Sequence, residues 1–355
     1  MRFRDLGFSI GSMAPGPKNA ITDVAGVRVG MTTLIEGDDV RTGVTVVLPP
    51  EVPLFAGIHS LNGNGEMTGS HWIREAGVLT TPVAITNTHS VGVVHDALIA
   101  AHPVDPDEWS LPVVAETWDG LLNDINGFHV KPEHVFGALE SATDGAVPEG
   151  SVGGGTGMTC HEFKGGTGTA SRVLPQADGG YTVGVLVQAN HGWRHRLSIE
   201  GVPVGREIPA ERIPVPRPAR RPPGAGSIIG IVATDAPLLP GQCDRLAQRV
   251  GLGVARTGGA GENSSGDIFL AFATGNRGLA GRERVAALEM LRNEHITALF
   301  FAVIEATEEA IVNALVAAET MTGRGGATAY RLEPELLVEV MRRGRASSSN
   351  QAFSA

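Results

Sequence analysis

The stretch Ile213-Pro-Val-Pro-Arg-Pro-Ala-Arg-Arg-Pro-Pro-Gly-Ala-Gly226 constrains the fold more than any other part of this chain. Proline has no N–H for a sheet ladder and clashes with the preceding turn of a helix, so the run suits neither element. Together with the residues from 205 onward it is expected to be an exposed linker. Immediately behind it comes Ser227-Ile-Ile-Gly-Ile-Val-Ala233, a short, strongly apolar run of the kind that forms a buried strand. The fold must therefore accept, in its core, a strand whose first residue arrives from an irregular surface segment.

Around this break, short β-rich runs at 27–31, 43–48, 78–87, 181–188 and 268–274 read as strands. Helical spacing is read at 92–101, 113–123, 238–250 (with Gly251 as its cap), 283–292 and 307–320, and the Ser-rich tail from 343 as loose. Strands and helices interleave without a clean βαβ rhythm, which points to a mixed-sheet sandwich with helices outside. The 355 residues suit one large domain or two ordinary ones, and 42% hydrophobic against 19% charged residues support a substantial core. The 48 glycines gather in short runs between apolar segments, as tight turns and close backbone approaches require.

The net charge of −10 argues against nucleic acid as a partner, since the one dense basic stretch, 217–221, is broken by proline. The chain shows neither the apolar core of a signal peptide near residue 1 nor an apolar run of about 18 residues, so no membrane segment is expected. Cys160 and Cys243 are too few for a disulfide framework, which suits a reducing, cytoplasmic setting. Eleven histidines are scattered without an HExxH pattern or a close ligand pair, and no metal or other cofactor is expected.

Five places could carry chemistry. Ser227 after Gly226 is placed as an N-terminal nucleophile would be: cleavage at Gly226-Ser227 would free an α-amine beside the hydroxyl, able to act as its base. It is equally a serine that starts a strand. Ser265 and Asp267 in Asn263-Ser-Ser-Gly-Asp267 share one face of an extended segment and could orient such an amine, or merely cap a strand. Asn190, ending the 181–188 run, could donate to an oxyanion or form a turn. Glu116, in Pro112-Val-Val-Ala-Glu-Thr-Trp-Asp-Gly120, is a carboxylate in apolar surroundings that needs a cation, from a substrate or from the protein. Glu66 presents a weaker form of the same case. Val152-Gly-Gly-Gly-Thr-Gly-Met158 lacks the lysine of a phosphate loop and reads as a close-packing backbone turn.

Taken in order, Ile21-Thr-Asp-Val-Ala-Gly-Val-Arg-Val-Gly30, Leu61-Asn-Gly-Asn-Gly-Glu-Met-Thr-Gly69, the 112–120 and 152–158 segments, Gly165-Gly-Thr-Gly-Thr-Ala-Ser-Arg172, Gly226-Ser-Ile-Ile, Ala233-Thr-Asp-Ala-Pro-Leu-Leu-Pro240 and Ser265-Gly-Asp-Ile-Phe269 resemble the L-aminopeptidase D-amidase/D-esterase (DmpA) family, which includes the β-peptidyl aminopeptidases. The resemblance spans almost the whole chain. It implies an α+β fold, an αββα sandwich like that of N-terminal-nucleophile hydrolases but with ornithine-acetyltransferase-type (DOM) connectivity. It implies self-processing into 1–226 and 227–355, with the two parts staying together, and a homo-oligomer, a tetramer of such pairs. The nucleophile then falls on Ser227, its supporting groups on Ser265 and Asp267, the oxyanion asparagine on Asn190, and the receiver of the substrate amine on Glu116. The substrate would be a small peptide or an amino-acid amide or ester. Where the family commonly has a tyrosine that helps to hold the oxyanion, this chain has Trp118, whose indole donates only through N–H. An acyltransferase of the ornithine-acetyltransferase type, or an unprocessed, weakly active binding protein, is the alternative reading.

Overall fold

The computed structural model describes residues 1–216, 226–281 and 283–352. In chain order the strands are β1 (Arg28–Glu36), β2 (Val40–Leu48), β3 (Leu54–Gly63), β4 (Val78–Leu79), β5 (Val83–Asn87), β6 (Val113–Thr117), β7 (Thr159–Cys160), β8 (Phe163–Lys164), β9 (Gly166–Val173), β10 (Thr182–Asn190), β11 (Gly226–Thr234), β12 (Ser265–Ala273), β13 (Met321–Thr322) and β14 (Thr328–Ala329). The helices are α1 (Ser70–Ala76), α2 (Val91–Ala101), α3 (Pro132–Glu140), α4 (Val204–Glu207), α5 (Pro240–Arg256), α6 (Thr297–Ala317) and α7 (Pro334–Ala352).

Two sheets carry the fold, one of four strands in the order β1-β2-β5-β6 and one of six in the order β4-β3-β12-β11-β10-β9. Strand alternation assigns their faces. In β11, Ile229, Ile231 and Ala233 pack between the sheets with Val47, Ile85 and Ala115 of the small sheet. The intervening Ile228 and Val232 turn outward against Leu246 and Val250 of α5 and Val303 and Ile311 of α6. The outer face of the small sheet, including Val44, Val46 and Val114, is covered by Val94 and Leu98 of α2 and Val135 of α3. The layers are thus helix, sheet, sheet, helix, and one αββα sandwich accounts for the core.

Five segments depart from the reading of their local pattern. Residues 113–123 begin as the buried strand β6, paired in parallel with β5, where β-branched Val113, Val114 and Thr117 fit a pleated ladder. The run 78–87 is two strands in different sheets, divided at Pro82, which cannot donate to a central ladder. Residues 284–290 are exposed and not helical. Helix α5 runs through Gly251 to Arg256, because Gly253 is a contact glycine: a Cβ there would stand 2.5 Å from Thr307 Cβ of α6. The turn falls instead at Gly258, with φ of 93°. The tail is helical as far as Ala352.

Of the Pro-rich linker, 217–225 lie outside the described residues. The part before it is tied down, since Ile208 and Ile213 are buried and their carbonyls accept from Arg194 Nη1 at 3.3 and 2.8 Å. The 152–158 glycines are close-approach positions as expected: a Cβ at Gly155 would meet the backbone of Gly166 at 2.6 Å. Among the described residues no helix is long and apolar enough to cross a membrane.

Candidate active site

The site lies where the ends of β10, β11, β12 and β6 converge. β10 and β11 are antiparallel with Asn190 opposite Ser227, and β11 and β12 are parallel with Ser227 opposite Gly266. At this end of the sheet β10 closes on Asn190, β11 opens with Gly226 and Ser227, and β12 opens with Ser265, Gly266 and Asp267. Ser227 is buried, and its Oγ accepts a hydrogen bond from the Gly266 N–H at 3.1 Å. Ser265 Oγ donates to Asp267 Oδ1 at 2.6 Å, and the same oxygen accepts the Ile228 N–H at 3.2 Å. The Ser265–Asp267 pair therefore grips the backbone one residue past Ser227.

Asn190 is held at both ends of its amide. Its Oδ1 accepts the Thr159 N–H at 2.9 Å, and its Nδ2 donates to the Trp118 carbonyl at 2.9 Å. One N–H of the amide is left for another acceptor. Glu116 approaches from β6 in the opposite sheet. A Cβ at Gly65 would lie 3.1 Å from Gly266 Cα and 3.2 Å from Glu116 Oε1, so a single glycine separates that carboxylate from the turn around Asp267. Glu116 Oε1 accepts the Glu66 N–H at 3.0 Å, and Oε2 accepts the Thr88 hydroxyl. Glu66 itself is exposed and contributes its backbone.

Both carboxylates pay for burial in proton affinity. Burial raises Glu116 above the usual carboxylate range, against the opposing hydrogen bonds from Thr88 and the Glu66 N–H. Burial likewise lifts Asp267 to about 6, against the hydrogen bonds from Ser265 and the Ile228 N–H, with Glu262 adding to the rise. Among the described residues neither forms a salt bridge with Arg or Lys. A carboxylate kept in such surroundings without a cation is poised to receive one.

Trp118 is half-buried. Its indole folds over Gly120, with Nε1 2.8 Å from where a Cβ would stand, and packs against the cluster of Leu121, Leu122 and Ala329. Gly120 therefore makes room for the larger ring.

Of the side chains singled out in the sequence, Ser227, Ser265, Asp267, Asn190, Glu116 and Trp118 thus fall in one neighbourhood, and Glu66 joins it through its backbone N–H alone. Thr88 and Thr159 were not foreseen. Thr88 follows β5, whose Thr86 lies opposite Glu116, and such a neighbour is visible only once strand pairing is known.

This constellation on an αββα sandwich defines an N-terminal-nucleophile type of hydrolase. The sequence model for peptidase family S58 matches residues 19–329, and the chain belongs to that family. The chain is 49% identical to the "Beta-peptidyl aminopeptidase BapA" of Sphingosinicella microcystinivorans, over 97% of this chain and 92% of that one. The solved structure of a Burkholderia sp. β-aminopeptidase superposes with a TM-score of 0.90 at 54% identity, covering 97% of this chain and 99% of that one. The L-aminopeptidase D-Ala-esterase/amidase of Ochrobactrum anthropi, described as a prototype for the serine aminopeptidases and a variant of the Ntn-hydrolase fold, superposes with a TM-score of 0.87 at 43% identity, over 96% and 98%. The chain is a serine aminopeptidase or amidase of this fold.

Proposed function

We propose that the chain cuts itself between Gly226 and Ser227 and then removes N-terminal residues from small peptides and amides through an ester on Ser227. The observation that carries this reading is the meeting of Ser227 Oγ with the Gly266 N–H beside Asn190 and Asp267, with Glu116, which has no cationic partner among the described residues, approaching from the opposite sheet. In the first reaction Ser227 Oγ adds to the Gly226 carbonyl, and the C–N bond breaks as an ester forms. Water then hydrolyses the ester, leaving a carboxylate on Gly226 and a free amine on Ser227.

That amine, with an ordinary pKa of about 8, takes the hydroxyl proton when Oγ attacks the substrate carbonyl and returns it to the leaving amine. Ser265 and Asp267 hold the strand that presents it. The free N–H of Asn190 receives the tetrahedral oxyanion; donors of this kind are worth about 100-fold or more in rate. Glu116 accepts the substrate's ammonium, which confines attack to the first peptide bond. Trp118 forms a wall of the substrate cleft. The β-peptidyl aminopeptidase relatives support N-terminal β-amino residues as substrates of this chain. The two buried, unpaired cysteines suit a cytoplasmic enzyme, and a tetramer of processed pairs is the assembly the family resemblance implies.

Intact mass and a panel of α- and β-aminoacyl p-nitroanilides test the reading. The expected result is two fragments meeting at Gly226/Ser227 in the native protein, and one inactive species near 36.9 kDa in Ser227→Ala. Hydrolysis by Ser227→Ala at the native rate would end it.

A further inference from the structure

Behind the oxyanion side of the site, the β7–β8 hairpin and the end of β10 bring together three side chains that the reaction above does not use. Cys160, His161 and His191 are buried, and one potential ligand atom from each lies within 4.8 Å of the others. Cys160 Sγ stands 3.8 Å from His191 Nδ1. In a tetrahedral site with Zn–S of about 2.3 Å and Zn–N of about 2.0–2.1 Å, a sulfur and a nitrogen ligand are about 3.6 Å apart. The pair is already near that spacing.

The imidazoles are otherwise hard to explain. His161 Nδ1 contacts the Trp193 carbonyl at 3.2 Å, which fixes the proton on Nδ1 and leaves the lone pair on Nε2. His161 Nε2 and His191 Nε2 are both buried without a hydrogen-bond partner among the described residues. An uncompensated buried nitrogen is costly, and an ion held by His161 Nε2 and His191 Nδ1 would satisfy the first of them, while His191 Nε2 would keep its proton on the side of Gly259. A ring whose other N–H donates to a backbone carbonyl is the arrangement that orients metal-bound histidines. The neighbouring cations do not fill the space: Lys164 Nζ donates to the Met158 and Gly165 carbonyls at 2.9 and 2.8 Å, and the Arg194 guanidinium lies over the Phe163 ring.

We infer that Cys160, His161 and His191 form a binding site for a thiophilic transition-metal ion of the Zn²⁺ class, with one protein sulfur and two imidazole nitrogens as ligands. Binding replaces the S–H bond of Cys160 with a metal–sulfur bond and releases that proton to solvent, while both imidazoles bind as neutral rings. The ion would be structural for the catalytic end of the molecule. The His161 N–H donates to the His191 carbonyl at 2.7 Å, and the adjoining Thr159 N–H holds Asn190, so one ion would lock both strands that aim the asparagine.

The test needs no turnover. Tag-free full-length protein, freed of metal by chelator and dialysed, is titrated with Zn²⁺ under native mass spectrometry and with Co²⁺ in an absorption experiment. Expected are one tightly held ion per chain and a near-ultraviolet thiolate-to-cobalt charge-transfer band. Cys160→Ser should abolish the band and weaken Zn²⁺ binding by about 100-fold, and His161→Gln should weaken it at least about tenfold. Absence of the band and of one-to-one uptake in the native protein overturns the inference. So does equal uptake by a folded Cys160→Ser protein.

Discussion

Two regions of the molecule bury carboxylates, and they treat them in opposite ways. Along α6, Glu305 and Glu309 face Arg172, with Arg172 Nε 3.1 Å from Glu305 and Nη2 2.7 Å from Glu309. Glu309 also takes Arg4 at 2.6 Å and the Asn19 amide at 2.6 Å. Burial alone would raise Glu309, but the Arg4 hydrogen bond and the charges of Arg172 and Arg4 outweigh it and hold the group below its usual range. At the ends of β6 and β12, Glu116 and Asp267 are buried with hydrogen bonds only, and both are raised. Glu149 lies between these extremes: it has Arg2 at 2.7 Å, yet burial still lifts it to about 7. A seam that only has to hold neutralises its charges internally. A site that, as proposed, receives a substrate ammonium would leave them uncompensated and bear the cost in stability.

The sharpest way to break the comparison is Ser227→Ala. Its aminopeptidase rate should fall by at least about 10⁴-fold, with thermal stability close to that of the native chain, as measured by p-nitroanilide hydrolysis and calorimetry. Arg172→Met should do the reverse. It takes from Glu305 its arginine and leaves Glu309 with Arg4 alone, and should cost about 3 kcal/mol in denaturant unfolding, while turnover per folded molecule is kept. Glu116→Gln should lower kcat/KM about 100-fold for substrates with a free amine and much less for N-acylated esters, without loss of stability.

Asp267→Asn gives the smallest and most diagnostic effect. The raised group stabilises the fold fully below its unfolded pKa near 3.8, and that contribution is lost as pH rises through about 6. At pH 7 the charge is therefore a burden. Two pKa units correspond to about 3 kcal/mol, which is the upper bound of the gain expected for the neutral amide. The gain should vanish as pH falls toward 4. Glu309 has the opposite sign: its contribution is present above its unfolded pKa and is lost only as pH falls through its lowered folded value. Unfolding curves for Asp267→Asn and Glu309→Gln across about pH 2 to 8 would separate the two regions.

The contrast also bears on what could be read from the chain beforehand. β10, β11 and β12 were legible because each is a largely apolar run, and the fold brings the polar residues at their neighbouring ends, Asn190, Ser227, Ser265 and Asp267, together. β6 was misread as helical since Glu116, Thr117 and Trp118 interrupt the apolar run; which partners the strand has is decided by β5, more than 25 residues earlier. The exposed segment 284–290 has helix-forming residues but no surface to pack against, and propensity alone does not hold a short helix in water. The seam was invisible for the same reason as Thr88. Arg4, Arg172 and Glu309 are unremarkable until three distant segments are brought to one face of α6.

The large sheet has β11 and β12 side by side, clamped between β10 and β3. If the backbone is cut before Ser227, the later fragment supplies the middle of a sheet whose flanks belong to the earlier one. Neither fragment then possesses a complete hydrophobic layer of its own. Folding must precede scission, and the severed pieces should behave as a single thermodynamic body, melting in one transition and resisting exchange with fragments from another molecule.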